Sequence, residues 1–226
     1  MKLQHQFIII MAAAIVVSFI PVLNWPFTWI QTFFHEISHG LAAIVTGGSV
    51  SSIQIHLSGS GLCYTSGGIR FIVTLAGYFG ATLFGVLLVL SVSAASPYQS
   101  KALAVTLAGI TLGALLFWAR DLVTILILLV ITAVCLLPIK GDWHPKTVHI
   151  LLKFIGCYVL LDAIKSPLWL IDGRNLGDGA TLSQLTLIPE LVWVALWELF
   201  ALTGVWFVWK SLQRLDLASV PKGETV

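Results

Sequence analysis

Charge is what this chain has least of. Only 10% of its 226 residues are Asp, Glu, Lys or Arg, against 58% that are hydrophobic. A water-soluble domain carries about 25% charge. So sparse a set cannot clothe a wetted surface, which excludes an ordinary soluble domain and points to an integral membrane protein with the lipid bilayer as its surroundings. Net charge is only +2, and no basic run is dense enough to track a phosphate backbone. Nucleic acid is therefore set aside as a partner.

Cysteine is also scarce. Cys63, Cys135 and Cys157 are odd in number and form no C-x-x-C pair, which argues against a disulfide framework or a thiolate zinc site. Cys135 and Cys157 lie in apolar runs and read as small buried hydrophobes. The N-terminal apolar core lacks a small-x-small cleavage pattern; "FIPVLNW" follows it instead. That core is expected to be an uncleaved first span rather than a signal peptide.

What is abundant is apolar runs of spanning length, about 18 residues or more. The expected fold is an all-α polytopic membrane protein with six or seven transmembrane helices and one short β-hairpin. It forms a single integral membrane domain over 1–226. Residues 1–25 hold the first span, and 26–94 a second helix, the hairpin and a further helix. Residues 102–138 hold a helical hairpin turning at Arg120-Asp121, 148–210 two more spans and a glycine-rich loop, and 211–226 a flexible tail. Several of the nine tryptophans fall near span ends, as interfacial anchors do. Lys and Arg divide between the two sides without a clear bias, so the positive-inside rule assigns no orientation.

The β-hairpin is signalled by "SSIQIHLSGSGLCYTSGG". Ile53, Ile55 and Leu57 alternate with polar residues, and glycines punctuate the segment. An edge strand at Ile53–Leu57 is a hazard unless used, and one use is pairing with an extended peptide. In "AGYFGATLFG", Gly77, Ala81 and Gly85 recur every four residues, the spacing that lets membrane helices approach closely.

One segment breaks the apolar pattern with chemistry. In "TFFHEISHGLAA", His35 and His39 are four apart and share a helix face. Both imidazoles can reach one ion, while Glu36, one step round, can touch a water bound to it. This is the H-E-x-x-H arrangement of a zinc hydrolase: two nitrogen ligands and a carboxylate base. Zinc lowers the pKa of bound water to about 7, and Glu36 would accept its proton and later hand one to a leaving amine. Ionisable groups at membrane depth cost a few kcal/mol each, so the cluster calls for a function. A catalytic zinc takes a third protein ligand. Asp162 in "CYVLLDAIKSP" is the first choice, Asp178 in "NLGDGATL" the alternative and Asp172 in "LIDGR" the third. His56, His144 and His149 lie in or beside loops, where solvated roles are favoured. Glu198, in "ALWELFAL", is a further carboxylate in an apolar stretch.

"HEISHGLAAIVTGG" resembles the active-site helix of site-2-protease-type intramembrane zinc metalloproteases. The following "GGIRFIVTLAGYFGATLFG" and "GDGATLSQLTLIPELVWVALW" are similar to the core segments of that family's smaller, B-like branch. The resemblance covers roughly 29–209. It implies hydrolysis of a peptide bond within or beside a transmembrane segment of a substrate protein. His35 and His39 would then be ligands to Zn2+, Glu36 the base, and a later aspartate the third ligand. The chain departs from the family pattern there, having no Asn-Pro-Asp-Gly run, and it has no room for a PDZ insertion. The expected location is the cell's inner or plasma membrane. Two other readings fit the same residues: a non-catalytic membrane protein that binds a metal or a partner helix, and a metal-ion transporter.

Overall fold

A computed structural model describes residues 2–140 and 143–218. It is mainly helical, in the order α1 (Leu3–Ser18), α2 (Trp25–Val45), β1 (Ser49–Ile55), β2 (Gly61–Ser66), α3 (Arg70–Ala94), α4 (Pro97–Trp118), α5 (Leu122–Lys140), α6 (Pro145–Lys165), a 3-10 turn (Pro167–Leu170), α7 (Asp178–Thr186) and α8 (Glu190–Ala218). Local chemistry explains most of the boundaries. Pro26, Pro97 and Pro145 lie in first turns, where a missing N–H costs nothing. Ser96 and Gln99 form a reciprocal capping box at α4. Asp121 accepts the Thr124 N–H at 2.9 Å and starts α5, so the expected helical hairpin turns where its two charges stand.

Among the described residues four helices are long and apolar enough to cross a membrane: α3, α4, α6 with the turn after it, and α8. The expected count of six or seven spans is not confirmed. Helix α1 is a shorter apolar helix. At 1.5 Å per residue, the 16 residues of α1 cover about 24 Å, less than the ~30 Å hydrocarbon layer. Helix α2 is long enough, but Gln31, Thr32, Glu36, Ser38 and His39 are all buried along it. It is an interior helix wrapped by other parts of the protein.

Helix α3 is the hub, packing against α2, α6, α7 and α8. The small-residue spacing works as expected. A Cβ on Gly85 would lie 2.9 Å from Leu160 Cγ and 3.2 Å from the Leu160 nitrogen, and one on Gly156 would lie 2.7 Å from Val89 Cγ2. Ala81, between Gly77 and Gly85, has no exposed surface. Of the stretch expected to be a flexible tail, residues 211–218 are helical, since α8 continues to Ala218. There Asp216 accepts the Leu3 N–H at 2.9 Å and the Gln4 N–H at 3.3 Å, using a remote carboxylate to satisfy free donors at the start of α1. Residues 219–226 lie outside the described residues.

The hairpin is present and antiparallel, with Ile53 opposite Cys63 and Ile55 opposite Gly61. Its expected free edge is the wrong one. Ile53 and Ile55 are fully buried. Ile53 makes a parallel bridge to Ala119, and the Ile55 N–H donates to Thr124 Oγ1 at 2.9 Å. The turn between α4 and α5 therefore closes the outer side of β1. Leu57 is past the strand's end and 64% exposed. The edge without a strand partner among the described residues belongs to β2.

These contacts predict opposite effects for two sets of glycines. Gly85→Val or Gly156→Val should destabilise the bundle by ~1–3 kcal/mol through overpacking. Gly109→Ala and Gly113→Ala on α4, where nothing lies within 4 Å of an added Cβ, should be neutral or stabilising by up to ~1 kcal/mol. Thermal unfolding in detergent measures both; equal losses at all four positions would contradict the packing described.

Candidate metal centre

The centre is assembled from α2, α3, the hairpin and α7. Helix α2 carries His35 and His39 one turn apart, with ring centroids separated by 4.7 Å. The third group comes from far along the chain. After the 3-10 turn, residues 171–177 loop back through Gly177, whose φ of +95° is a backbone state that side chains rarely adopt. Asp178 follows as the first residue of α7, and its Oδ2 reaches both rings: 3.1 Å from His35 Nε2 and 3.2 Å from His39 Nε2. The two Nε2 atoms are 3.0 Å apart. Burial by itself would raise the Asp178 carboxyl, but His39 and His35 hold it well below the ordinary carboxylate range.

The donor set fits zinc. Two imidazoles and a carboxylate are a known catalytic combination, and arms of ~2.0–2.1 Å put neighbouring tetrahedral corners about 3.3 Å apart, close to the separations here. Histidine tautomer supports the same use. His39 Nδ1–H donates to the Val73 carbonyl at 2.7 Å, an acceptor only, so neutral His39 presents its lone pair at Nε2. The α3 backbone closes against the rings at Gly77, where a Cβ would lie 2.5 Å from His39 Nε2 and 2.6 Å from His35 Cε1.

Asp162 is not in this group: His35, His39 and Asp178 are the residues whose ligand atoms converge. Of the two aspartates considered as third ligand, the structure brings Asp178 to the histidines. Asp162 lies on α6, with Lys165, three residues on, and His35 as its charged neighbours. Asp172 is a turn residue bonded to Arg174. His144 caps α6 through the Lys146 N–H, and His149 bonds to Ser100 Oγ at 2.8 Å. His56 sits past the end of β1. Glu198 lies on α8, within its apolar stretch.

Glu36 is 4% exposed and shares with the triad a cavity of about 750 Å³. Gly61 on β2 closes over it; a Cβ there would be 2.6 Å from Glu36 Oε1. Leu62, Cys63 and Thr65 of the same strand also line the cavity. Sequence reasoning passed over Gln31 and Tyr78, which line it too. Gln31 had a signal available, since it precedes His35 by four residues and so falls on the metal-facing side of α2. Tyr78 stood in the small-residue run, next to Gly77.

The fold and site thus define a largely apolar helical bundle with a buried glutamate beside a His-His-Asp cluster that could hold a metal ion. A family model described as Peptidase M50B-like matches residues 8–208. The chain belongs to that family, the site-2-protease type, and is an integral membrane protein. No curated protein and no solved structure matches it in the corresponding comparisons.

The donor geometry predicts metal content. Purified protein should hold close to one zinc per chain. His35→Ala, His39→Ala and Asp178→Asn should lose it, while Asp162→Asn should keep it. Gly77→Ala should weaken zinc binding by ~10–100-fold, as loss of ligand orientation does. Metal analysis after gel filtration decides; zinc lost with Asp162 and kept without Asp178 would reverse the assignment.

Proposed function

We propose that this protein is an intramembrane zinc endopeptidase that hydrolyses a peptide bond within or near a transmembrane segment of a substrate protein. The observation that carries this is Glu36 facing the same cavity as the His35–His39–Asp178 triad. In this reading those three residues hold zinc, which supplies Lewis acidity and a coordinated water of lowered pKa. Glu36 accepts a proton from the attacking water and returns one to the leaving nitrogen. The proposed setting is a multi-pass protein of the inner or plasma membrane.

The fold suits such a reaction in two ways. Hydrolysis needs water, and polar groups at membrane depth are tolerated where they line a cavity enclosed by protein. A substrate helix also hides its peptide bonds and must be extended first. The free edge of β2, running from Gly61 beside Glu36 out to Ser66, offers main-chain groups to hold an extended segment. This replaces β1 in that role, because the outer side of β1 is occupied by Ala119 and Thr124.

Glu36→Gln should retain zinc and lose cleavage by ~10²–10⁴-fold, measured with purified protein and a membrane-spanning substrate in detergent or vesicles. If it keeps cleavage, or alters metal flux instead, the peptidase reading fails. Proline placed in turn at Leu62, Cys63 and Tyr64 tests the strand. Successive N–H groups point to alternate edges, so cleavage should fall with a period of two among variants that still fold and bind zinc. A uniform effect would remove β2 from substrate binding.

A further inference from the structure

Tyr78 is a cavity-lining group with no role in the chemistry above. It follows Gly77 on α3, is 9% exposed, and lines the cavity together with Asp178. Its ring is held on two sides. It stands edge-on to His35, with centroids 4.4 Å apart at 73°, and lies 4.6 Å from the Trp197 ring. Trp197 is itself 1% exposed and donates its indole N–H to the Leu75 carbonyl at 3.4 Å. The tyrosine ring is therefore fixed beside the metal-binding pair.

Its hydroxyl, however, has no hydrogen-bond partner among the described residues, and it is not one of the sealed, unpartnered polar atoms of the interior. Tyr78 lines the cavity. A buried phenol usually finds a partner, so a rigid one left unpartnered on a cavity-lining residue is available for a ligand. Three other hydroxyls of the cavity lining are committed: Thr32 donates to the Gly59 carbonyl at 2.6 Å, Thr74 to the Arg70 carbonyl at 2.9 Å, and Ser166 to the Asp162 carbonyl at 2.8 Å.

We infer that the Tyr78 hydroxyl is a catalytic hydrogen-bond donor to the oxygen of the scissile carbonyl. The inference rests on the peptidase reading. During hydrolysis the water oxygen bonds to the carbonyl carbon, and the C=O electron pair moves onto the carbonyl oxygen. That pair then returns, the C–N bond breaks, and the nitrogen leaves with its electrons and the proton delivered by Glu36. Tyr78 donates a hydrogen bond to the oxygen while it carries the charge and keeps its own proton throughout. A donor already in place when charge develops stabilises the transition state more than the bound substrate.

The test compares Tyr78→Phe with wild type in the zinc-loaded, full-length protein in detergent. Two probes are used: a phosphinic analogue of an apolar tetrapeptide, tetrahedral and anionic where the carbonyl would be, and the ordinary peptide of the same sequence. The variant should bind the phosphinic analogue about 100-fold more weakly, with peptide affinity and zinc content unchanged. Equal effects on both probes, or none on the phosphinic analogue, would overturn the assignment. So would loss of zinc, which would make Tyr78 a support for Asp178 instead. Tyr78→Leu, which removes the ring as well, should lose stability in thermal unfolding where Phe does not; if both unfold alike, the ring packing described here is wrong. Wild type that holds zinc but binds the phosphinic analogue no better than the peptide would sink the parent peptidase reading, whatever the variants do.

Discussion

Everything at the centre of this protein depends on one carboxylate oxygen lying between two imidazoles. Asp178 Oδ2, His35 Nε2 and His39 Nε2 are 3.0–3.2 Å apart. Lone pairs brought that close repel unless a proton or a cation lies among them, and the surrounding fold brings the donors together. It does so by rigid packing. The two histidines are fixed by helix periodicity, His39 is further held by the Val73 carbonyl, and α3 presses its backbone against both rings at Gly77. Asp178 is held because α7 seats against α3 and α8. Gly179, the next residue, has no side chain to collide with Glu190, whose Oε1 would be 2.6 Å from a Cβ there.

The same constraint explains why α2 is an interior helix although its length would let it span a membrane. A helix bearing buried Gln31, Glu36 and His39 cannot face lipid, where unpaired polar groups are costly. It must be surrounded by other helices on most sides and by a polar cavity on one. Helices α3 and α6 supply apolar walls, and the hairpin supplies a polar lid whose backbone meets Glu36 at Gly61. The α4–α5 turn closes the outer side of β1, and β2 is the strand at the cavity. The hairpin, Glu36 and the His-His-Asp donors thus line one volume.

Much of this could be read without coordinates, because it is local. The apolar runs, the turn at Arg120-Asp121, the hairpin and the small-residue face of α3 each come from patterns within some twenty residues. The pairing of His35 with His39 follows from helical periodicity alone. The differences at the site concern which distant segments meet. Asp162 looked compelling as a lone carboxylate in an apolar helix, yet its oxygens do not join the cluster formed by His35, His39 and Asp178. Asp178 looked like an ordinary turn residue, because nothing in "NLGDGATL" says where the loop returns. The alternation of Ile53 and Ile55 correctly indicates a strand with a buried face, but not that Ala119 and Thr124 close its outer edge.

By itself, then, the sequence determined an apolar helical protein, two metal-type ligands with a base beside them, and a short hairpin next door. Periodicity, turn chemistry and the cost of stranded polar groups in lipid act over short stretches of chain and do not need a fold. Only the tertiary structure decided the third donor, the open strand and the tyrosine that faces the cavity. Each of these depends on how α3, α6 and α7 stack, and that stacking is set by side-chain volume at contacts such as Gly77 against the histidines and Gly85 against Leu160, between residues far apart in the chain.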